Sequence, residues 1–108
     1  MPMLKIQTNT PVAEENRKAL ASLASTTVAE LLGKPERYVM VSIEENPCML
    51  FGGSDAPLAY LELKSIGLPD SQTSEFSARL ANLLEEQLGL PADRVYIEFA
   101  DAARNMWG

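Results

Sequence analysis

An internal repeat constrains the fold of this chain more than any other feature of its sequence. Residues 32–45 read LGKPERYVMVSIEE and residues 88–101 read LGLPADRVYIEFAD, so Leu-Gly-x-Pro recurs with the same spacing to an alternating apolar segment. In each copy a helix-length apolar stripe precedes the motif, and a short alternating segment precedes the stripe. This order predicts two copies of one β-α-β unit.

The bounds of the predicted elements follow from these patterns. Strands are expected over Met3–Thr8 and Ala59–Lys64, where apolar and polar residues alternate. Helices are expected over about Ala13–Leu32 and about Thr73–Leu88, each ended by glycine and then proline, with Ser71 as the N-cap of the second. A crossover helix makes its flanking strands parallel. We therefore expect a fold of the α/β class in the broad sense, built as an α+β two-layer sandwich. It has a four-stranded mixed sheet with both helices on one face.

Length and composition narrow the classes of protein to which the chain can belong. They indicate one domain, residues 1–108, made of two pseudo-repeats at about 2–45 and 58–101. The net charge of −6 argues against binding to nucleic acid or to anionic membranes. Neither a signal peptide nor a membrane-spanning run is visible, and one cysteine implies no oxidising compartment. We therefore expect a cytoplasmic protein, with secretion by a non-classical route left open.

The second face of the predicted sheet carries a mixture of residues that is too apolar for exposure and too polar for a dry core. It comprises Met40, Ser42, Tyr60, Glu62, Tyr96 and Glu98. Such a face suits packing against sister subunits around a wet centre. The sequence therefore predicts an oligomer.

Pro2 is the residue best suited to acid–base chemistry, because the chain contains no histidine. Initiator methionine is normally removed before proline, which exposes an amine that titrates near about 8. Burial beside a cation lowers that pKa, and such an amine serves as a general base or as a nucleophile. The simpler interpretation is that Pro2 only opens an edge strand. A retained Met1 also makes the Pro2 nitrogen a non-basic amide. No metal or other cofactor is expected.

An ordered set of short motifs covers nearly the whole chain. The set comprises Pro2-Met3, Asn9, Pro11, Gly33-Lys34-Pro35, Phe51-Gly52-Gly53-Ser54, Ser65-Ile66-Gly67 and Asp93-Arg94-Val95-Tyr96-Ile97. Each motif alone is weak, but the ordered set resembles the macrophage migration inhibitory factor (MIF) family of the tautomerase superfamily. The resemblance implies a duplicated β-α-β fold in a homotrimer with sites at the subunit interfaces. It also implies cofactor-free keto–enol tautomerase activity on phenylpyruvate-like α-keto acids.

The resemblance assigns roles to individual residues. Pro2 matches the catalytic base, and Lys34 matches the cation that binds the substrate carboxylate. Ser65 and Ile66 match positions beside the base, and Tyr96 matches a tyrosine that the neighbouring subunit supplies. The remaining matches are two wall positions, Met106 and Trp107, and four possible pocket positions, Met3, Tyr38, Phe51 and Glu98. Each of these also has a structural interpretation, as a solvated cation, a strand end, or packing.

The chain departs from the animal members of that family at three places. Glu98 replaces an asparagine beside the site, Leu58 and Leu61 replace a Cys-x-x-Cys pair, and the printed chain ends at Gly108, short of an aromatic tail. Two alternatives to the tautomerase stay open, although the missing Cys-x-x-Cys pair and the changed tail argue against the first of them. One is a non-enzymatic, cytokine-like interaction protein. The other is a different proline-dependent reaction of the superfamily, a decarboxylation or a dehalogenation.

Overall fold

Strands and helices alternate in two similar halves of the computed structural model, which describes all residues from Met1 to Gly108. The elements are β1 (Met3–Thr8), α1 (Glu14–Leu32), β2 (Met40–Glu45), β3 (Ala59–Ile66), α2 (Thr73–Leu88) and β4 (Val95–Ala102). Short 3₁₀ turns precede β2, α2 and β4, and another follows β4. Neither helix combines the length and the apolar character that a membrane crossing needs.

The four strands form one mixed sheet in the order β2-β1-β3-β4. Each half contributes a parallel pair, β1 with β2 and β3 with β4, and the halves meet where β1 runs antiparallel to β3. Leu4 shows the register, since it lies between Val41 on β2 and Leu63 on β3. The predicted four-stranded mixed sheet is confirmed.

The core lies between one face of the sheet and the two helices. Alternate residues of the central strands point to this side, including Leu4, Ile6, Leu61 and Leu63, and all four are fully buried. The helices contribute residues at four-residue steps, which are Leu20, Ala24 and Val28 from α1 and Phe76, Leu80 and Leu84 from α2. Burial of each large apolar side chain is worth about 1.5–3 kcal/mol, so this layer holds the sandwich together.

The helix ends are set by local backbone chemistry. Gly33 adopts φ +61°, a left-handed conformation that ends α1, and its N–H and that of Lys34 satisfy the last helical carbonyls. Gly89 ends α2 in the same way. The prediction of Ser71 as the N-cap of α2 was wrong, because a 3₁₀ turn over Asp70–Gln72 contains Ser71 and makes Gln72 the cap, without a side-chain bond.

The second face of the sheet has no layer over it within this chain. Met40 and Tyr96 are 65% and 66% exposed, which is unusual for large apolar side chains on a sheet. Charged residues lie among them, and Lys5 and Lys64 approach Glu44 and Glu62, respectively, each at 3.7 Å. The face is therefore mixed in character, as its sequence indicates.

Candidate active site at the N-terminus

The start of β1 carries Pro2 into the protein. Pro2 is almost completely buried, although it is the second residue of the chain. Its carbonyl accepts a hydrogen bond from the Met40 N–H at 3.0 Å, which extends the β1–β2 ladder by one residue. Met1, which precedes Pro2, is 41% exposed. The start of the chain is thus fixed to β2 at the end of an inner strand of the sheet.

Lys34 is held between the end of α1 and the end of β3. The left-handed turn at Gly33 directs the chain back, and the Lys34 N–H donates to the Ala29 carbonyl at 3.0 Å. The Lys34 Nζ donates to the Ile66 carbonyl at 2.6 Å, and it forms no ion pair with a carboxylate. The side chain is half-buried. This arrangement differs from the solvated cation of the structural interpretation.

Two cavities flank the N-terminal residue. One, of about 370 Å³, is lined by Met1, Lys34, Ile66, Arg104 and Trp107. The other, of about 270 Å³, is lined by Met1, Pro2, Met3, Tyr38, Met40, Trp107 and Gly108. Because Met1 and Trp107 line both, they form the partition between the cavities.

The charge of this region is opposite to that of the protein as a whole. No aspartate or glutamate lines either cavity, although the chain contains 15 acidic residues. Burial and the neighbouring Lys34 ammonium lower the pKa of the Met1 amino group below its ordinary value. At neutral pH a larger fraction of a terminal amine at this place is therefore in the neutral form, which can accept a proton, than of an amine in solvent.

Arg104 is a residue of this region that the sequence analysis missed. It begins the short 3₁₀ turn Arg104–Met106 after β4, and it lines the larger cavity together with Lys34. Its guanidinium makes no hydrogen bond or ion pair within the chain. In the sequence, Arg104 is only the single basic residue among the last eight, DAARNMWG. The path of the chain after β4 is needed to place it in the cavity.

The structure separates the other residues predicted near Pro2 into two groups. Met3, Tyr38, Ile66 and Trp107 line the cavities. Ser65 is buried behind the site and donates to the Ile66 carbonyl at 3.3 Å. Met106 lines neither cavity, and 77% of it is exposed, so within this chain it forms no part of the wall.

Tyr96, Phe51 and Glu98 lie away from Pro2. In the sheet register, Met3 pairs with Lys64 on β3, and Lys64 pairs with Ala100 on β4. Tyr96 pairs with Tyr60 and lies four residues before Ala100 along β4, at the far end of the sheet. That spacing corresponds to more than about 13 Å. The Tyr96 and Phe51 rings pack at 4.6 Å between centroids and line a separate apolar cavity of about 360 Å³. Glu98 points to the open face, beside the Tyr60 hydroxyl. Burial and the carboxylates of Glu62 and Glu98 raise the pKa of this hydroxyl.

Comparison with known proteins identifies the family. The family described as macrophage migration inhibitory factor (MIF) matches residues 1–107 of the chain. The chain belongs to the MIF family. It is 41% identical over 102 residues to a MIF homologue of Brugia malayi, which covers 94% of this chain and 88% of that protein. It is 39% identical over 101 residues to D-dopachrome decarboxylase-B of Xenopus laevis, covering 92% of this chain and 85% of the relative.

The solved structures agree with the family assignment. The crystal structure of the MIF homologue from Prochlorococcus marinus superimposes with a TM-score of 0.92 at 42% identity, over 98% of this chain and 93% of the other. The MIF of Toxoplasma gondii also gives a TM-score of 0.92, at 33% identity, over 98% of this chain and 94% of the other. Two predictions are thus confirmed: the chain belongs to the MIF family of the tautomerase superfamily, and its fold class is the predicted one.

Proposed function

We propose that the chain, after removal of Met1, is a keto–enol tautomerase of phenylpyruvate-like α-keto acids that uses the Pro2 amine as general acid and base. The observation that carries this proposal is the position of the Met1 amino group, one residue before Pro2, in a cavity lined by Lys34 and Trp107, where burial and the Lys34 ammonium lower its pKa. Membership of the MIF family supports it.

Removal of Met1 is the step that prepares the site. Since Met1 lines both cavities and Pro2 lines one of them, we expect the loss of Met1 to open space next to the Pro2 nitrogen. Pro2 is more deeply buried than Met1. We therefore expect burial and the Lys34 ammonium of the adjoining cavity to hold the pKa of the new amine below the ordinary value as well.

The chemistry needs only the groups of this region. Lys34 uses one of its three donors on the Ile66 carbonyl, which fixes the ammonium and leaves two donors for a substrate carboxylate. The neutral Pro2 amine removes a proton from the carbon next to the keto group, and the resulting ammonium returns it to the oxygen. Trp107 and Ile66 supply apolar surface for a phenyl ring.

A homotrimer with its sites at the subunit interfaces is part of the proposal. Support comes from the open sheet face and from Leu50, Met40 and Tyr96, which are exposed to 65% or more in the single chain. Tyr96 cannot reach Pro2 of its own chain, so a contribution to the site requires a neighbouring subunit. Covering this apolar surface provides the free energy of association.

Ketonisation of phenylpyruvate tests the proposal on protein whose intact mass shows that Met1 is absent. We expect turnover, and a fall of roughly 10²–10⁴-fold in kcat/KM for Pro2→Gly, which changes the catalytic amine. Pro11→Gly is the matched control, because Pro11 is exposed beyond the opposite end of β1, and it should leave turnover unchanged. Absence of turnover in processed wild-type protein, or full activity in Pro2→Gly, would refute the proposal.

Decarboxylation is a second candidate because one relative carries the name D-dopachrome decarboxylase-B and is 39% identical to this chain. The same processed preparation tests it with D-dopachrome as the substrate. Release of carbon dioxide that depends on Pro2 would assign this activity, and its absence would leave tautomerisation alone.

A further inference from the structure

The cavity beside the terminal amine contains two cations and no acid. Four of the other basic side chains, those of Lys5, Arg17, Lys64 and Arg79, lie within 4.0 Å of a carboxylate. Lys34 and Arg104 have no such partner, yet they line the same cavity. In a protein of net charge −6 this is a local excess of positive charge.

We propose that Arg104 is a second anion-binding residue, and that the site prefers 2-oxo dicarboxylic acids to 2-oxo monocarboxylic acids. This inference rests on the proposed function and specifies its substrate class. A monocarboxylate that pairs with Lys34 leaves Arg104 without a counter-ion. A dicarboxylate satisfies both cations, and the planar guanidinium can hold the distal carboxylate through two parallel hydrogen bonds.

The surroundings of the two cations differ in a way that fits this division of roles. Lys34 is half-buried, and its Nζ is fixed at 2.6 Å from the Ile66 carbonyl and lies beside the Met1 amino group, one residue before Pro2. Arg104 is exposed on the turn after β4. The reacting end of a substrate therefore lies at Lys34, and the distal carboxylate lies towards Arg104.

Apolar residues lie where the carbon chain between the two carboxylates would run. Ile66 and Trp107 line the cavity with the two cations, and its volume is about 370 Å³. In the reaction the C3–H bond breaks and its proton moves to the Pro2 nitrogen. The electron pair forms the C2–C3 double bond, and the keto oxygen becomes the enolate oxygen. Return of a proton or deuteron to C3 restores the keto acid.

Exchange of the C3 protons in D₂O, followed by NMR, measures this step without a chromophore. The substrates are 2-oxoglutarate and 2-oxopentanoate, which has a methyl group in place of the second carboxylate. For the processed wild-type protein we expect kcat/KM for exchange to be about tenfold higher with 2-oxoglutarate, which corresponds to about 1.4 kcal/mol. Arg104→Gln should abolish most of that preference, and Arg104→Lys should retain part of it.

Arg79→Gln is the matched control, because it removes the same charge from the exposed face of α2 and should keep the wild-type preference. Binding of glutarate and of pentanoate, measured by calorimetry, repeats the comparison without turnover. Tighter binding of glutarate that depends on Arg104 supports the inference even if no tautomerase activity is found. Equal use and equal binding of the paired acids, or a preference that survives in Arg104→Gln, would overturn it, whether or not phenylpyruvate is turned over.

Discussion

Arg94 fastens the loop that carries Phe51, and its loss should destabilise the protein measurably. The guanidinium donates to the Phe51 carbonyl at 2.8 Å, a half-buried bond. It also donates to three exposed carbonyls, those of Ser54, Ala56 and Pro57, at 2.8–3.4 Å. It lies 5.1 Å from the centroid of the Phe51 ring. Arg94→Ala leaves four carbonyls without this donor.

The size of the effect follows from the exposure of each bond. The half-buried hydrogen bond to a charged donor is worth about 1.5–3 kcal/mol. The exposed bonds exchange readily with water, and we assign them about 0.5 kcal/mol each at most. The expected loss is therefore about 2–4 kcal/mol in the free energy of unfolding. With a urea m-value of about 2 kcal/mol/M, the unfolding midpoint should fall by about 1–2 M.

Urea unfolding of matched variants at one protein concentration measures this loss, since subunit association adds a concentration-dependent contribution. Arg79→Ala is the control, because Arg79 only approaches the exposed Glu30 at 3.7 Å, and it should lose less than about 1 kcal/mol. Arg94→Lys should recover less than half, since one ammonium cannot reach four carbonyls. If Arg94→Ala and Arg79→Ala lose the same free energy, the role given to Arg94 is wrong.

Three further predictions concern the termini of strands and helices. Thr8→Val should cost about 1–3 kcal/mol in the urea assay, because the buried Thr8 hydroxyl donates to the Leu58 carbonyl at 2.7 Å, whereas Thr8→Ser should lose less. Gly33→Ala should lower the free energy of unfolding by about 1–2 kcal/mol through its φ of +61° alone, since nothing lies within 4 Å of an added Cβ. Disturbed phenylpyruvate kinetics at unchanged stability would contradict this explanation. The hydrogen bond from Arg17 lowers the pKa of Glu45. The resulting stability is present above the ordinary pKa of 4.5 and is lost as pH falls through the lower folded value, so Glu45→Gln should destabilise at pH 7 and not in strong acid.

Short-range signals explain why so much of the fold was predictable. The spacing of apolar residues sets β1 and α2, whose predicted bounds agree with the structure, and Gly33 and Gly89 end their helices through their own backbone conformation. These features depend on a few neighbouring residues, and the repeat presents each of them twice. The cap of α2 was mispredicted, since a 3₁₀ turn and an α-helix begin with the same residue types, and only the hydrogen bonds distinguish them.

The candidate site was less predictable because it joins segments that are distant in sequence. The Lys34 Nζ reaches a carbonyl 32 positions away, and Arg104 enters the cavity only through the turn after β4. No local pattern carries either contact. The resemblance to a family supplied Lys34, but it did not mark Arg104. It also grouped Phe51 with Pro2, although Phe51 packs on Tyr96 at the other end of the sheet, and Glu98, which lies two strands away on β4.

The pKa of the Pro2 amine tests the central claim most directly. The measurement is an NMR titration of ¹⁵N-proline-labelled protein whose mass shows that Met1 is absent, with the same protein unfolded in urea as the reference. Burial and the Lys34 ammonium, which lower the pKa of the Met1 amine, should likewise place the folded Pro2 pKa below the unfolded one, and Lys34→Gln should bring it part of the way back. A folded pKa equal to or above the unfolded value, and unchanged in Lys34→Gln, would contradict the assignment of Pro2 as the catalytic base.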